Sequence, residues 1–139
     1  MKINGVIQRK LTLLDDQMVN LAKHMKGVTY EAFEGDWMRR SMAERALQVA
    51  IEIVIDVAER LIALSDAGPV ASAADAIRKC VDLGYLTSAT PYREMVGFRN
   101  FIVHEYEQID PQITYALATE KLKDFRAFRA EMDALMEAE

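Results

Sequence analysis

Apolar residues recur three or four apart along nearly the whole chain, the spacing of amphipathic helices. From about Asn4 to Lys26 the series is Ile7, Leu11, Leu14, Met18, Leu21, Ala22 and Met25, and Gly27 is the natural stop. A short segment from Thr29 to Glu34 follows, after which Asp36 is placed to cap the next helix. That second helix is predicted over Trp37 to Leu64, roughly 42 Å at 1.5 Å per residue. Ala46, Leu47, Val49, Ala50, Ile51, Ile53, Val54, Ile55 and Val57 make it apolar on most sides. Its polar residues, Arg45, Gln48, Glu52, Asp56 and Glu59, fall on one narrow strip. A helix of this kind belongs at the centre of a fold, with its one polar side turned to water, a cleft or a partner.

Ala67-Gly68-Pro69 interrupts the pattern. Ser72 with Asp75 then resembles a capping box, and a short helix is predicted to run to Leu83, before Gly84. Thr90-Pro91 reads as an N-cap followed by proline at the first helical position, starting a fourth helix that continues to about Tyr106. Asp110-Pro111 repeats the signal. The fifth helix is predicted to run unbroken to about Met136, with Tyr115, Ala118, Leu122, Phe125, Met132 and Met136 on one side. No stretch alternates like a strand. The expectation is an all-α, up-and-down bundle of four long helices and one short one, forming a single domain over residues 1–139.

Composition narrows the function. A chain of 139 residues can bury a real core without disulfides or metals. At 51% hydrophobic residues it is not intrinsically disordered. A net charge of −5 argues against broad electrostatic binding to nucleic acid or anionic lipid and leaves room only for a local basic site. The lone cysteine, Cys80, has no internal disulfide partner, which suits a reducing cytoplasm. The N-terminus carries no apolar signal region. The most apolar stretch, Val49 to Leu64, holds Glu52, Asp56, Glu59 and Arg60, so no membrane span is expected.

Several chemistries find no residues to run on. The sequence has no glycine-rich phosphate loop, no Cys or His cluster at metal spacing and no Glu-x-x-His pair, so neither metal nor cofactor is expected. Cys80, spaced with Ala73, Ala76, Ile77 and Leu83, reads as a packing residue. His24, near the end of the first helix, suits the helix dipole. The fourth helix is unusual. On a wheel of 100° per residue, Arg99 sits at the centre of an apolar stripe formed by Tyr92, Met95, Val96, Ile102, Val103 and Tyr106. A charge there needs a partner or a wet cleft, and Glu52 or Asp56 could supply the partner. Arg93, Gly97, Asn100 and His104 form a second set on the opposite side. Asn100 and His104 are one turn apart, and Gly97 lets something approach the backbone closely. By themselves these residues read first as a structural salt bridge and a cap or surface histidine near the helix end.

The run Arg99-Asn100-Phe-Ile-Val-His104-Glu-Tyr106 resembles the signature of HEPN-domain ribonucleases, and in its R-x4-H-x-Y form the HepT toxins of the MntA–HepT toxin–antitoxin family. Arg45 to Glu52 on the second helix and Gly97-Phe98 are similar to that family as well. The resemblance implies the toxin of a type VII-like module, an endoribonuclease that cuts RNA such as tRNA or mRNA without a metal ion. His104 would be the general acid/base, Arg99 would hold the scissile phosphate, and Asn100 would support them. Tyr106 would be the position to which an MntA-like nucleotidyltransferase antitoxin adds AMP. Arg99 and His104 lie about 140° apart on a straight helix, so two subunits of a homodimer would combine to make one cleft. Arg39, Arg40, Arg45 and Arg93 are candidates for contacts to RNA. The competing reading is a non-catalytic helical module that serves as substrate-binding partner of a nucleotidyltransferase. In a third, the chain is a structural homodimer.

Overall fold

The computed structural model describes residue 3, residues 5–104 and residues 109–138. Among these residues the order is α1 (Gly5–Met25), α2 (Tyr30–Glu34), α3 (Trp37–Leu64), α4 (Ala73–Asp82), α5 (Thr90–His104), α6 (Pro111–Ala118) and α7 (Leu122–Glu137), with no strand. The all-α expectation holds. Helix α3 has the predicted bounds, and its start is fixed as expected: the Asp36 carboxylate accepts a hydrogen bond from the Arg39 amide at 3.1 Å. Ser72 caps α4 by accepting from the Asp75 amide at 3.1 Å. Asp75 does not return the bond to Ser72. Its carboxylate accepts from the Ala71 amide instead, one residue earlier. The segment after Gly27 forms the one-turn helix α2, capped by Thr29.

One element departs from expectation. The predicted fifth helix is two helices, α6 and α7, separated at residues 119–121. Thr119 leaves helical geometry, at φ −125° and ψ −96°. Its hydroxyl donates to the Tyr115 carbonyl at 2.6 Å, and the Lys121 amide reaches back to the Ala116 carbonyl, one residue further than a helical bond. No glycine or proline marks the break. Packing accounts for it: α6 lies chiefly against α3 and α2 and touches α1 only lightly, whereas α7 lies against α1. One straight helix cannot follow both.

Helix α3 contacts α1, α2, α4, α5 and α6. Leu47, Ala50, Ile51, Val57 and Leu61 are fully buried at the middle of this shell. Burial of this kind is the main favourable term for a helix so apolar. Cys80 is part of the same core, with its thiol donating to the Ala58 carbonyl at 3.5 Å. Burial pushes the thiol pKa up to about 12, so Cys80 is an unreactive packing group. Helix α7 closes the bundle from the far end of the chain. Arg129 pairs with Asp15 of α1 at 3.1 Å. The Phe128 ring meets Tyr92 of α5 at 5.8 Å between centroids.

Two substitutions separate the core from the surface of α5. Leu47→Ala should cost about 2–5 kcal/mol, because the cavity it leaves is enclosed on every side. Gly97 is exposed, and a Cβ built there meets nothing within 4 Å. Gly97→Ala should therefore stabilise the chain by about 0.4–1 kcal/mol. Urea unfolding of both variants checks the pair. A destabilised Gly97→Ala would contradict the open space at that position.

Candidate functional site

Helix α5 carries the residues singled out in the sequence, and its packing decides where each one points. Tyr92, Met95, Val96 and Phe98 are buried, which fixes the rotation of the helix about its axis. The Tyr92 hydroxyl donates to Glu131 of α7 at 2.9 Å, and Glu131 also accepts from the Thr87 amide at 2.8 Å. Burial, with the Glu131 carboxylate close by, drives the Tyr92 pKa far upward, so this phenol stays protonated and serves as an anchor. The expected apolar stripe stops short of the helix end. Ile102 is half-buried and Val103 is 41% exposed.

Arg99 turns toward α3. Its side chain is only 19% exposed, and its Nε lies 3.3 Å from Oε1 of Glu52. This is an ion pair without hydrogen-bond geometry, since Nε is buried and has no hydrogen-bond partner. Of the two expected partners, Glu52 is the one that meets Arg99. Asp56, one turn on, is committed elsewhere: it accepts Lys10 of α1 at 2.6 Å and Arg60 at 3.2 Å. Burial raises the Asp56 pKa, but the hydrogen bonds from Lys10 and Arg60 outweigh it and hold the carboxyl below its ordinary value. Lys10, Arg45, Glu52, Asp56 and Glu59 line a shallow cavity of about 430 Å³ along the polar strip of α3. The strip is thus a wet groove beside the Arg99 ion pair.

His104 and Asn100 face the other way and are exposed, as are Arg93 and Gly97. Within one chain, the structure does not bring Arg99 and His104 to the same side of α5. Tyr106 lies outside the described residues. Of the four arginines expected near RNA, two have structural work. Arg39 pairs with Asp36 and donates to the His24 carbonyl, and Arg40 donates to the Glu34 carbonyl. Arg45 reaches Gln48 of its own helix at 3.5 Å. Arg93 lines a depression with Ser72, Asp75 and Arg78. Among the described residues no group of three or more His, Cys, Asp or Glu side chains could hold a metal ion, and no helix is long and apolar enough to cross a membrane.

Sequence reasoning missed a second cavity of about 430 Å³ between α5 and α6. Gly97, Phe98 and Phe101 line one wall, and Ile109, Ile113 and Leu117 line the other. Lys121 and Glu94 pair at its edge, at 2.8 Å. The only signal in the sequence was Gly97, because the opposite wall depends on the break at Thr119.

Comparison with known proteins follows the same lines. Residues 14–132 match the family described as "Ribonuclease HepT-like". Two solved structures share the fold with a TM-score of 0.86 each. One is a tri-AMPylated HEPN toxin from Shewanella oneidensis in complex with MNT antitoxin, 22% identical over 95% of this chain and 99% of that one. The other is a toxin–antitoxin crystal structure with AMP-PNP, 21% identical over 94% of this chain and 99% of that one. A cytosolic protein of unknown function from Bacillus subtilis, YutE, is 17% identical with a TM-score of 0.79, over 95% of this chain and 89% of that one. A comparison with curated proteins gives no significant match.

The two carboxylates of α3 should be separable by experiment. Glu52→Gln should shift the NMR resonance of the Arg99 Nε–H, whereas Asp56→Asn should leave it in place. Equal shifts in both variants would mean that Arg99 senses the whole strip and not one partner.

Proposed function

Since the chain belongs to the HepT-like ribonuclease family, we propose that it is a metal-independent endoribonuclease, the toxin of a type VII-like toxin–antitoxin module, acting as a single HEPN-like domain. The observation that carries this reading is the family match over residues 14–132, a span that includes Arg99, Asn100, His104 and Tyr106.

The reaction needs one proton removed and one supplied. The ribose 2′-oxygen loses its proton and bonds to the neighbouring phosphorus. The bond from phosphorus to the 5′-oxygen breaks, and that oxygen takes a proton. A 2′,3′-cyclic phosphate and a 5′-hydroxyl remain. The exposed imidazole of His104 can serve either proton step. Arg99 holds the phosphate and stabilises the charge that grows on its oxygens. Glu52 sits at the Nε edge of the guanidinium, while the other four N–H groups belong to the Nη edge. Asn100, one turn before His104, orients the imidazole or contacts the phosphate.

Because Arg99 and His104 diverge on α5, the cleft is shared by two chains. A two-fold homodimer is the simplest assembly that offers the arginine of one chain and the histidine of the other to one phosphate. A net charge of −5 per chain favours a confined contact with a structured RNA such as tRNA, or with mRNA, over general affinity. Tyr106 is the point of control. An MNT-type nucleotidyltransferase adds AMP there, and the added phosphate repels the RNA backbone beside His104. The tri-AMPylated relative held by its MNT antitoxin supports this part of the reading.

Arg99→Ala and His104→Ala should each lower RNA cleavage about 10²–10⁴-fold without changing the circular dichroism spectrum. EDTA should leave the wild type active. Full cleavage by His104→Ala would overturn the assigned mechanism, and a wild-type chain that cuts no RNA would favour the non-catalytic partner reading. Separately, co-expression with a cognate nucleotidyltransferase should add AMP to the chain, located on Tyr106 by peptide mass mapping, and Tyr106→Phe should escape it. Suppression of toxicity with no change in mass would rule out this form of control.

A further inference from the structure

The cavity between α5 and α6 has a use that the Arg99–His104 pair does not supply. The pair handles phosphate and protons and has no means of gripping a base. We propose that this cavity receives one nucleobase of the RNA strand, next to the phosphate being cut. The inference rests on the ribonuclease reading and adds a binding site to it.

Four observations converge. The volume, about 430 Å³, lies within the range of small-molecule sites, roughly 300–1,000 Å³. The walls are apolar, and the half-buried ring of Phe101, backed by the buried Phe98, is the kind of surface on which an unpaired base stacks. The polar groups in the lining are Glu94, Lys121 and Asp110: Glu94 and Lys121 pair with each other, Asp110 accepts from the Gln112 amide, and the remaining lone pairs and N–H groups can meet the rim of a heterocycle. Gly97 stands in the mouth, exposed and with open space where a side chain would be.

The position on α5 also fits. Gly97 is seven residues before His104, about 10 Å along the helix axis and about 20° away around it. Arg93, Asn100 and His104 run along one side of Gly97, and Phe98 and Phe101 open on the other. A strand whose phosphates follow the first side can drop a base into the second. The acidic chain would then bind RNA by stacking, where its net charge gives no help.

The test uses the full chain carrying His104→Ala, so that RNA is bound and not cut. Fluorescence anisotropy measures its affinity for a labelled five-nucleotide RNA and for the same strand made abasic. Gly97→Phe fills the opening. It should weaken binding of the normal strand about tenfold, in line with the loss of one stacked base. The abasic strand should be indifferent to the change. Equal affinities in parent and Gly97→Phe, or equal losses for normal and abasic strands, would overturn the proposal.

Thermal unfolding checks the fold of Gly97→Phe, with Phe101→Leu as a second variant that removes a ring from the wall. Light scattering covers the rival occupant: if Gly97→Phe changes the oligomer and leaves RNA affinity intact, the groove belongs to an interface between copies and the proposal is wrong. A failure of the ribonuclease reading would be seen on its own, as a wild-type chain that cuts no RNA. The pocket is still decided in that case by titrating AMP and UMP against the wild type. NMR shifts at the Gly97 and Phe101 amides that disappear in Gly97→Phe support it, and their absence overturns it.

Discussion

The architecture depends on keeping water from a 28-residue helix that has almost no polar side. Helices α1, α2, α4, α5 and α6 each cover part of α3. The exception is the strip holding Glu52 and Asp56. Where it emerges, neighbouring helices meet carboxylates as well as methyl groups, and they answer with cations: Lys10 from α1 and Arg99 from α5. An arginine at the centre of the apolar stripe of α5 is tolerable because the central helix presents a counter-charge at that point. The Arg99–Glu52 pair is therefore a product of the packing, made where the buried Tyr92, Met95, Val96 and Phe98 have fixed the rotation of α5.

That rotation has a functional cost and a functional use. With Arg99 held inward, Asn100 and His104 must face outward, and a single chain cannot close both ends of the motif on one phosphate. The same rotation sets Gly97 at the boundary between the polar track of α5 and the apolar cavity beside it. One helix thus presents three chemically distinct sides: an ion-paired arginine, a polar track and an apolar cavity wall.

Much of this was legible in the sequence because it is local. The bounds of α3, the Asp36 and Ser72 caps and the burial of Cys80 follow from residues within one or two turns of each other. The opposed directions of Arg99 and His104 follow from helical periodicity alone. The choice between Glu52 and Asp56 could not be read in that way, because it depends on the position of Lys10 on a different helix. Nor could the break at Thr119, where the chain obeys the layers it must join and not its own propensities. The cavity between α5 and α6 was hidden for the same reason. Its second wall exists only once α6 has turned away from α7.

The Tyr92–Glu131 bond and the Tyr92–Phe128 ring contact tie α5 to a helix made later in synthesis. A ribosome adding about 5–20 residues per second needs a further 1–5 s or so to pass from His104 to Glu131. During that interval α5 has no support on its Tyr92 side, and the charged and apolar faces described above have no fixed orientation. Correct geometry is therefore a property of the chain only after α7 has emerged. Prematurely terminated products, even those that carry the whole Arg99-to-Tyr106 run, lack the α7 contacts that hold α5 in place.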